Sequence, residues 1–216
     1  MPAAQNDRAS QIRYRVATEH DIPALTRLIE LSVETLGLSY YTPEQLASAL
    51  EYVFGVDRQL VADGTYFVAE RAEPPPVPDS WPEPLGGSGL QLLGCGGWSR
   101  RRRLFGKDSA TWNGDPAQTL NPAIEPARIR AFFVHPNWAK RGIARALLQL
   151  CEGAARTQGF RTLELAATLM GEAMYARCGF VELERVDHAL PDGVHLQVVR
   201  MFKPLVRAQT GTAPGL

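Results

Sequence analysis

Val134-His-Pro-Asn-Trp-Ala-Lys140-Arg-Gly142-Ile-Ala144-Arg-Ala-Leu-Leu148 is the stretch on which the reading of this 216-residue chain turns. The bulky residues at 129–134 read as a strand, and the basic turn at 135–141 leads into a helix over about 142–158. Ile143, Leu147, Leu150 and Ala154 recur at the spacing of one helix face. The first turn of a helix carries N–H groups without intrahelical partners, and the dipole adds partial positive charge there, so such a turn attracts anions. Gly142 and Ala144 keep side-chain bulk away, while Lys140, Arg141 and Arg145 add charge. No Gly-Lys-Ser/Thr follows, and the triple glycine of dinucleotide folds is missing. By local physics alone, an ordinary strand-to-helix loop with solvated charges also fits.

Working outward, residues 159–186 continue the pattern. Gly159 stops the helix, and Leu163, Leu165 and Ala167 alternate as a strand. A short helix through Met174 ends at Gly179. Strands over 181–186 and 194–202 flank Pro191-Asp192-Gly193, the signature of an antiparallel hairpin. Toward the N-terminus, a strand over 12–16 precedes a helix capped by Thr18 or Asp21, with Leu25, Leu28 and Ile29 on its inner face. Pro43 opens a second helix presenting Leu46 and Leu50, and Gly64 turns into a strand over 66–70. A further strand covers 90–98. The segments 73–89, with six prolines, and 99–126 read as insertions into one domain, 11–206. The termini, 1–10 and 207–216, read as flexible. Helices and strands alternate and a hairpin closes the chain, which predicts a mixed α/β sheet.

Composition narrows the class. An apolar content of 45% supports a packed core, and 23 basic residues balance 23 acidic ones, so no general electrostatic case for nucleic acid arises. Cys95, Cys151 and Cys178 lack metal-ligand spacing, and three thiols cannot all pair, as in a reduced cytoplasmic protein. Residues 1–11 have no apolar core of a signal peptide, and no apolar run is long enough to span a bilayer. The expectation is a cytoplasmic protein without metal or membrane association, with a homodimer as the default assembly.

The central turn resembles the acyl-CoA-binding motif of the GNAT superfamily (Gcn5-related N-acetyltransferases), Gln/Arg-x-x-Gly-x-Gly/Ala. Gly142 and Ala144 match its last two positions, and Ala139 stands where the family often has Gln or Arg. Arg15-Val-Ala-Thr18-Glu-His-Asp21-Ile-Pro-Ala-Leu25 is similar to the family's opening strand and helix, and Tyr175-Ala-Arg-Cys-Gly179-Phe180 to its Tyr-x-x-x-Gly-Phe signature. The resemblance implies a twisted mixed sheet of about six to seven strands, helices on both faces and two splayed central strands. It implies that acetyl-CoA is the co-substrate, gripped by Ala139, Lys140, Arg141, Gly142, Ile143, Ala144 and Arg145, with Phe133 and Val134 offering backbone groups to the pantetheine arm. It also implies transfer to a primary amine of a small molecule or peptide within a ternary complex. A rival reading is an acyl-CoA-binding or sensing module without catalysis.

Tyr175 stands where relatives place the tyrosine that contacts the CoA sulfur and serves as general acid; the alternative is a core-edge ring packed on Phe180. Thr168 reads equally as a polar contact to the cofactor or as a helix N-cap. Tyr40 and Tyr41 fall in the region that in relatives covers the acceptor, and Trp98 could also line it; ordinary packing fits all three. His135 reads as a turn residue, Cys95 as a buried thiol, and the arginine run 100–103 as solvated. Glu125 and Glu164 are the nearest carboxylates to the strand at 129–134, and neither matches a family position for a base.

Overall fold

The computed structural model describes residues 12–72, 90–104 and 118–205. The terminal segments, residues 73–89 and the middle of the 99–126 stretch, both expected as insertions, lie outside the described residues. The elements run β1 (Arg13–Val16), α1 (Ile22–Leu36), α2 (Pro43–Tyr52), α3 (Arg58–Ala62), β2 (Tyr66–Ala72), β3 (Leu90–Ser99) and β4 (Ala127–Val134). They continue α4 (Ile143–Thr157), β5 (Thr162–Thr168), α5 (Leu169–Arg177), β6 (Val181–Ala189) and β7 (His195–Pro204). One seven-stranded sheet results, in the order β1-β2-β3-β4-β5-β7-β6. Every pairing is antiparallel except that of β4 with β5.

Alternation along the strands divides the core into two layers. Tyr66, Val68, Leu92, Cys95 and Phe133 face Leu25, Leu28, Ile29 and Val33 of α1, with Leu46 of α2 and Leu60 of α3. On the other face Leu163, Leu165, Val199 and Met201 pack on Leu148, Cys151 and Ala155 of α4 and on Tyr175 of α5. Ile143 and Leu147 of α4 sit on Ala69 and Leu93 in a third cluster. The α4 helix comes this close because β3 carries Gly94: a Cβ there would lie 2.9 Å from Ile143.

The N-terminal piece is held by charge. Arg15 donates to both carboxylate oxygens of Asp21 at 2.7 Å and to Glu70 at 2.8 Å, tying β1 and the entry to α1 to β2. Asp21 also accepts the Thr18 N–H, and the adjacent guanidinium holds its carboxyl down at about 2. The arginine run departs from the expected solvated face. Arg101 pairs with Asp63 at 2.7 Å, Arg102 with Glu125 at 2.8 Å, and Arg103 is buried. The reason is that the described ends of the 99–126 stretch form a small antiparallel bridge, Arg101 to Thr119, that folds the run against the turn after α3. α3 itself was not expected. Its five residues are too short to show a period, and Asp57 caps it by accepting the Leu60 N–H.

Burial also governs the alkaline limit of stability. The Cys95 thiol is pushed up to about 12 from 9.0, and the Tyr41 phenol to about 12 from 10.0, both by desolvation. Tyr66 and Cys151 are also raised well above their ordinary values for the same reason. Raised folded values mean that the native state keeps protons the unfolded state sheds. The stabilisation is therefore complete below the unfolded values and disappears as pH climbs through the folded ones. Thermal melts are expected to hold level up to about pH 9 and to fall steeply toward about pH 11; a flat profile across that window would contradict the assignment.

Candidate functional site

The parallel pair β4–β5 is joined at only two positions, Ala127 with Leu163 and Arg128 with Glu164. Beyond them the strands part, so the N–H and C=O groups on that edge of the second half of β4 have no strand partner. A bulge accompanies the opening. Two steps along β3, Cys95 to Gly97, oppose three along β4, Phe133 to Arg130. The extra residue is accommodated at Ala131, which takes the left-handed conformation with φ 54°. As a result Ala131 and Phe133 both pack toward the α1 side, while Phe132 between them packs on the α4–α5 side. Gly96 makes room for the Phe132 ring, since a Cβ there would stand 2.6 Å from it.

The parted strands open into a cleft of about 980 Å³. At one end lies the turn before α4. Lys140 (φ 61°) and Gly142 (φ 87°) are both left-handed, which swings the chain so that the helix begins with its amides toward the cleft. The first α4 bond at this end runs from the Ala146 N–H to the Gly142 C=O, leaving the amides of Ile143, Ala144 and Arg145 as the open first turn. A Cβ on Gly142 would meet nothing within 4 Å, so the approach to these amides is clear. Phe133, Val134, Ala139, Lys140, Gly142, Ile143, Ala144 and Arg145 all line the cleft. Arg141 does not; its guanidinium lies 4.9 Å from the centre of the Trp138 ring, and Trp138 does line it. Open amides with Lys140 and Arg145 beside them have the chemistry that could hold an anion.

Tyr175 stands on the wall formed by α5. Its ring meets Phe132 edge-on at 6.1 Å and Phe180 at 5.7 Å, so two aromatic rings fix its position. The residue is 7% exposed and lines the cleft, and among the described residues no hydrogen bond to its hydroxyl is formed. Burial raises the phenol well above its ordinary value, with the nearby Cys151 and Cys178 thiols acting in the same direction. At neutral pH it is a proton donor. Thr168 lines the cleft and occupies the N-cap position of α5, but its side chain makes no capping bond.

The acceptor candidates separate. Tyr40 is exposed and lines the cleft. Tyr41 lies outside the lining: its hydroxyl donates to the Gln197 C=O at 2.9 Å and accepts the Leu169 N–H at 2.8 Å, bracing the start of α5 against β7. Trp98 is buried against Phe160 at 5.9 Å and also lies outside it. His135 is a buried turn residue whose Nδ1 accepts the Asn137 N–H, and burial lowers its pKa. Neither Glu125 nor Glu164 reaches the cleft; Glu164 is held by Arg128 and by Arg200 at 2.6 Å. The residue that sequence reasoning missed is Asp57. It is the one carboxylate lining the cleft among the described residues, 3% exposed and 2.6 Å from Arg130 of β4. Ser32, Thr35, Leu36 and Phe54 line the same end. A cap residue before an unseen five-residue helix leaves no periodic signal in the sequence.

The acetyltransferase (GNAT) domain family matches residues 108–182. Among solved structures, a GCN5-related N-acetyltransferase from Rhodopseudomonas palustris superposes with a TM-score of 0.58 at 18% identity, covering 91% of this chain and 98% of that one. The PaiA N-acetyltransferase from Thermoplasma acidophilum, solved with coenzyme A, gives 0.52 at 14% identity over 90% and 99%. The ribosomal-protein-S18-alanine N-acetyltransferase from Escherichia coli gives 0.51 at 13% identity over 94% and 99%. No curated protein matched the sequence. The fold is that of the GNAT acetyltransferases, and residues 108–182 match their domain family. Among the described residues no cluster of three or more metal-ligating side chains gathers, and no helix is long and apolar enough to cross a membrane.

Proposed function

We propose that this protein is an N-acetyltransferase that takes its acetyl group from acetyl-CoA and passes it directly to a primary amine of a small molecule or peptide. The observation that carries the proposal is continuity. A single cleft runs from the open amides at the start of α4, along the parted β4 edge, to the phenol of Tyr175. The residues fit the co-substrate. The amides of 143–145 with Lys140 and Arg145 take the diphosphate, and the unpaired groups near Phe133 and Val134 take the amides of the pantetheine arm. Acetyl-CoA supplies the activated acyl group. Tyr175 holds a proton at Oη for the departing sulfur, and the Asp57 end of the cleft receives the amine. The setting is cytoplasmic on this reading, in keeping with Cys95, Cys151 and Cys178 as free thiols.

A second reading, an acyl-CoA-binding module without turnover, draws on one observation: the cleft's carboxylate is already engaged by Arg130. The two are separated by titrating the protein with acetyl-CoA and then following thiol release over a panel of free amines and peptide N-termini. Binding with acceptor-dependent release is the expected result. Binding with no release on any amine favours the module, and no binding overturns both.

A further inference from the structure

Tyr66 begins β2, is 0% exposed and does not line the cleft, yet it reaches across β3 to the bulge in β4. Its hydroxyl donates to the C=O of Ala131 at 3.1 Å and lies 3.2 Å from the Cys95 thiol. The thiol is in turn 3.9 Å from the same carbonyl and takes a hydrogen bond from the Phe133 backbone. The two side chains therefore meet the bulge on both sides of Phe132. Ala131 is one of two non-glycine residues described with positive φ, and an alanine in that region is strained. A bulge also turns the extra residue's carbonyl out of the ladder, and a buried carbonyl without a partner is costly. Both penalties fall on Ala131, and the Tyr66 hydroxyl offsets the second. What depends on the bulge is the facing of the next residues. Without the extra residue the alternation slips by one, and Phe132 and Phe133 exchange faces.

We infer that Tyr66, backed by Cys95, is a positioning residue that pins the Ala131 bulge and so aims the backbone of residues 132–134 into the cleft and the Phe132 ring onto Tyr175. The hydroxyl touches no ligand; it acts through Ala131. The Gly96 and Gly97 positions fit this arrangement. A Cβ at Gly97 would lie 2.9 Å from the Tyr66 ring, and one at Gly96 would displace Phe132. Gly97 thus leaves the space through which the phenol reaches β4, and Gly96 leaves room for the Phe132 ring on the opposite face. The inference rests on the reading of the cleft as an acyl-CoA site.

The test is calorimetric titration of the full chain with CoA in four forms: wild type, Tyr66→Phe, Ala131→Gly and the double variant. Phenylalanine keeps the packed ring and removes only the hydroxyl. Glycine at 131 removes the strain of positive φ, the other of the two penalties, so the bulge costs less to keep without its clamp. Tyr66→Phe is expected to weaken CoA binding about tenfold, and Ala131→Gly in that background to restore most of the loss. A purely structural tyrosine would lower the melting temperature without this rescue of affinity. Wild-type affinity in Tyr66→Phe, or a loss that Ala131→Gly does not repair, overturns the inference. If Tyr66→Phe does not fold, Cys95→Ala takes its place with the same rescue expected and the same results decisive. A wild type that fails to bind CoA would overturn the acyl-CoA reading itself, and this inference with it.

Discussion

Gly142→Glu is expected to weaken acetyl-CoA binding by at least about a hundredfold while the protein remains folded, because a like charge set against a diphosphate costs several kcal/mol. The position makes the experiment clean. A Cβ at Gly142 meets nothing within 4 Å, so the substitution creates no clash in the free protein. Its structural cost is confined to the backbone, where φ is 87° and a residue with a Cβ loses roughly 1–2 kcal/mol. A few degrees of melting temperature are the expected price, measurable beside the titration. Gly142→Asn is the control. Asparagine tolerates the left-handed region better than most residues and brings no charge, so it should retain far more affinity than glutamate does. The comparison separates electrostatics from strain. Equal loss in both variants would mean that bulk, not charge, blocks the turn. Wild-type affinity in Gly142→Glu would mean that the diphosphate lies elsewhere.

The elements legible in the sequence are those whose signal is local. α4 announces itself through Ile143, Leu147, Leu150 and Ala154 at helical spacing, although Leu150 proves exposed, and the β6–β7 hairpin through Pro191-Asp192-Gly193. The basic turn before α4 was readable because Gly142 follows a strand and precedes a helix. The parting of β4 from β5 came from family resemblance, not from the residues. No local pattern states that pairing stops after Arg128. What stayed hidden depends on residues far apart in the chain that the fold brings together. Asp57 and Arg130 meet across β4, and Tyr41 reaches Leu169 over 128 positions. Trp98 and Tyr41 look alike in sequence as aromatic residues near a cleft. Only the faces of β3 and the entry to α2 decide that both are braced inside the core. The glycines of β3 were visible without their meaning. Each is small because of what approaches it, α4 at Gly94 and the Phe132 ring at Gly96.

Tyr175→Phe is expected to lower kcat for amine acetylation by about a hundredfold or more, as loss of a positioned general acid does, with acetyl-CoA affinity nearly unchanged. Affinity survives because the ring, not the hydroxyl, makes the contacts with Phe132 and Phe180. The pH profile gives an independent reading of the same proton. Burial raises the phenol's pKa above its ordinary 10.0, so in the folded protein it keeps its proton at every pH where the unfolded chain would. Wild-type kcat should therefore show no alkaline decline from Tyr175 below about pH 10; any rise with pH on the acid side belongs to deprotonation of the acceptor amine. In Tyr175→Phe the acid limb should persist at the lower rate, because the amine still titrates. A kcat within about twofold of wild type would reduce Tyr175 to a packing residue and shift protonation of the sulfur to solvent. A matched loss of affinity and rate would show instead that the ring had moved, which the melting temperature of the variant would register.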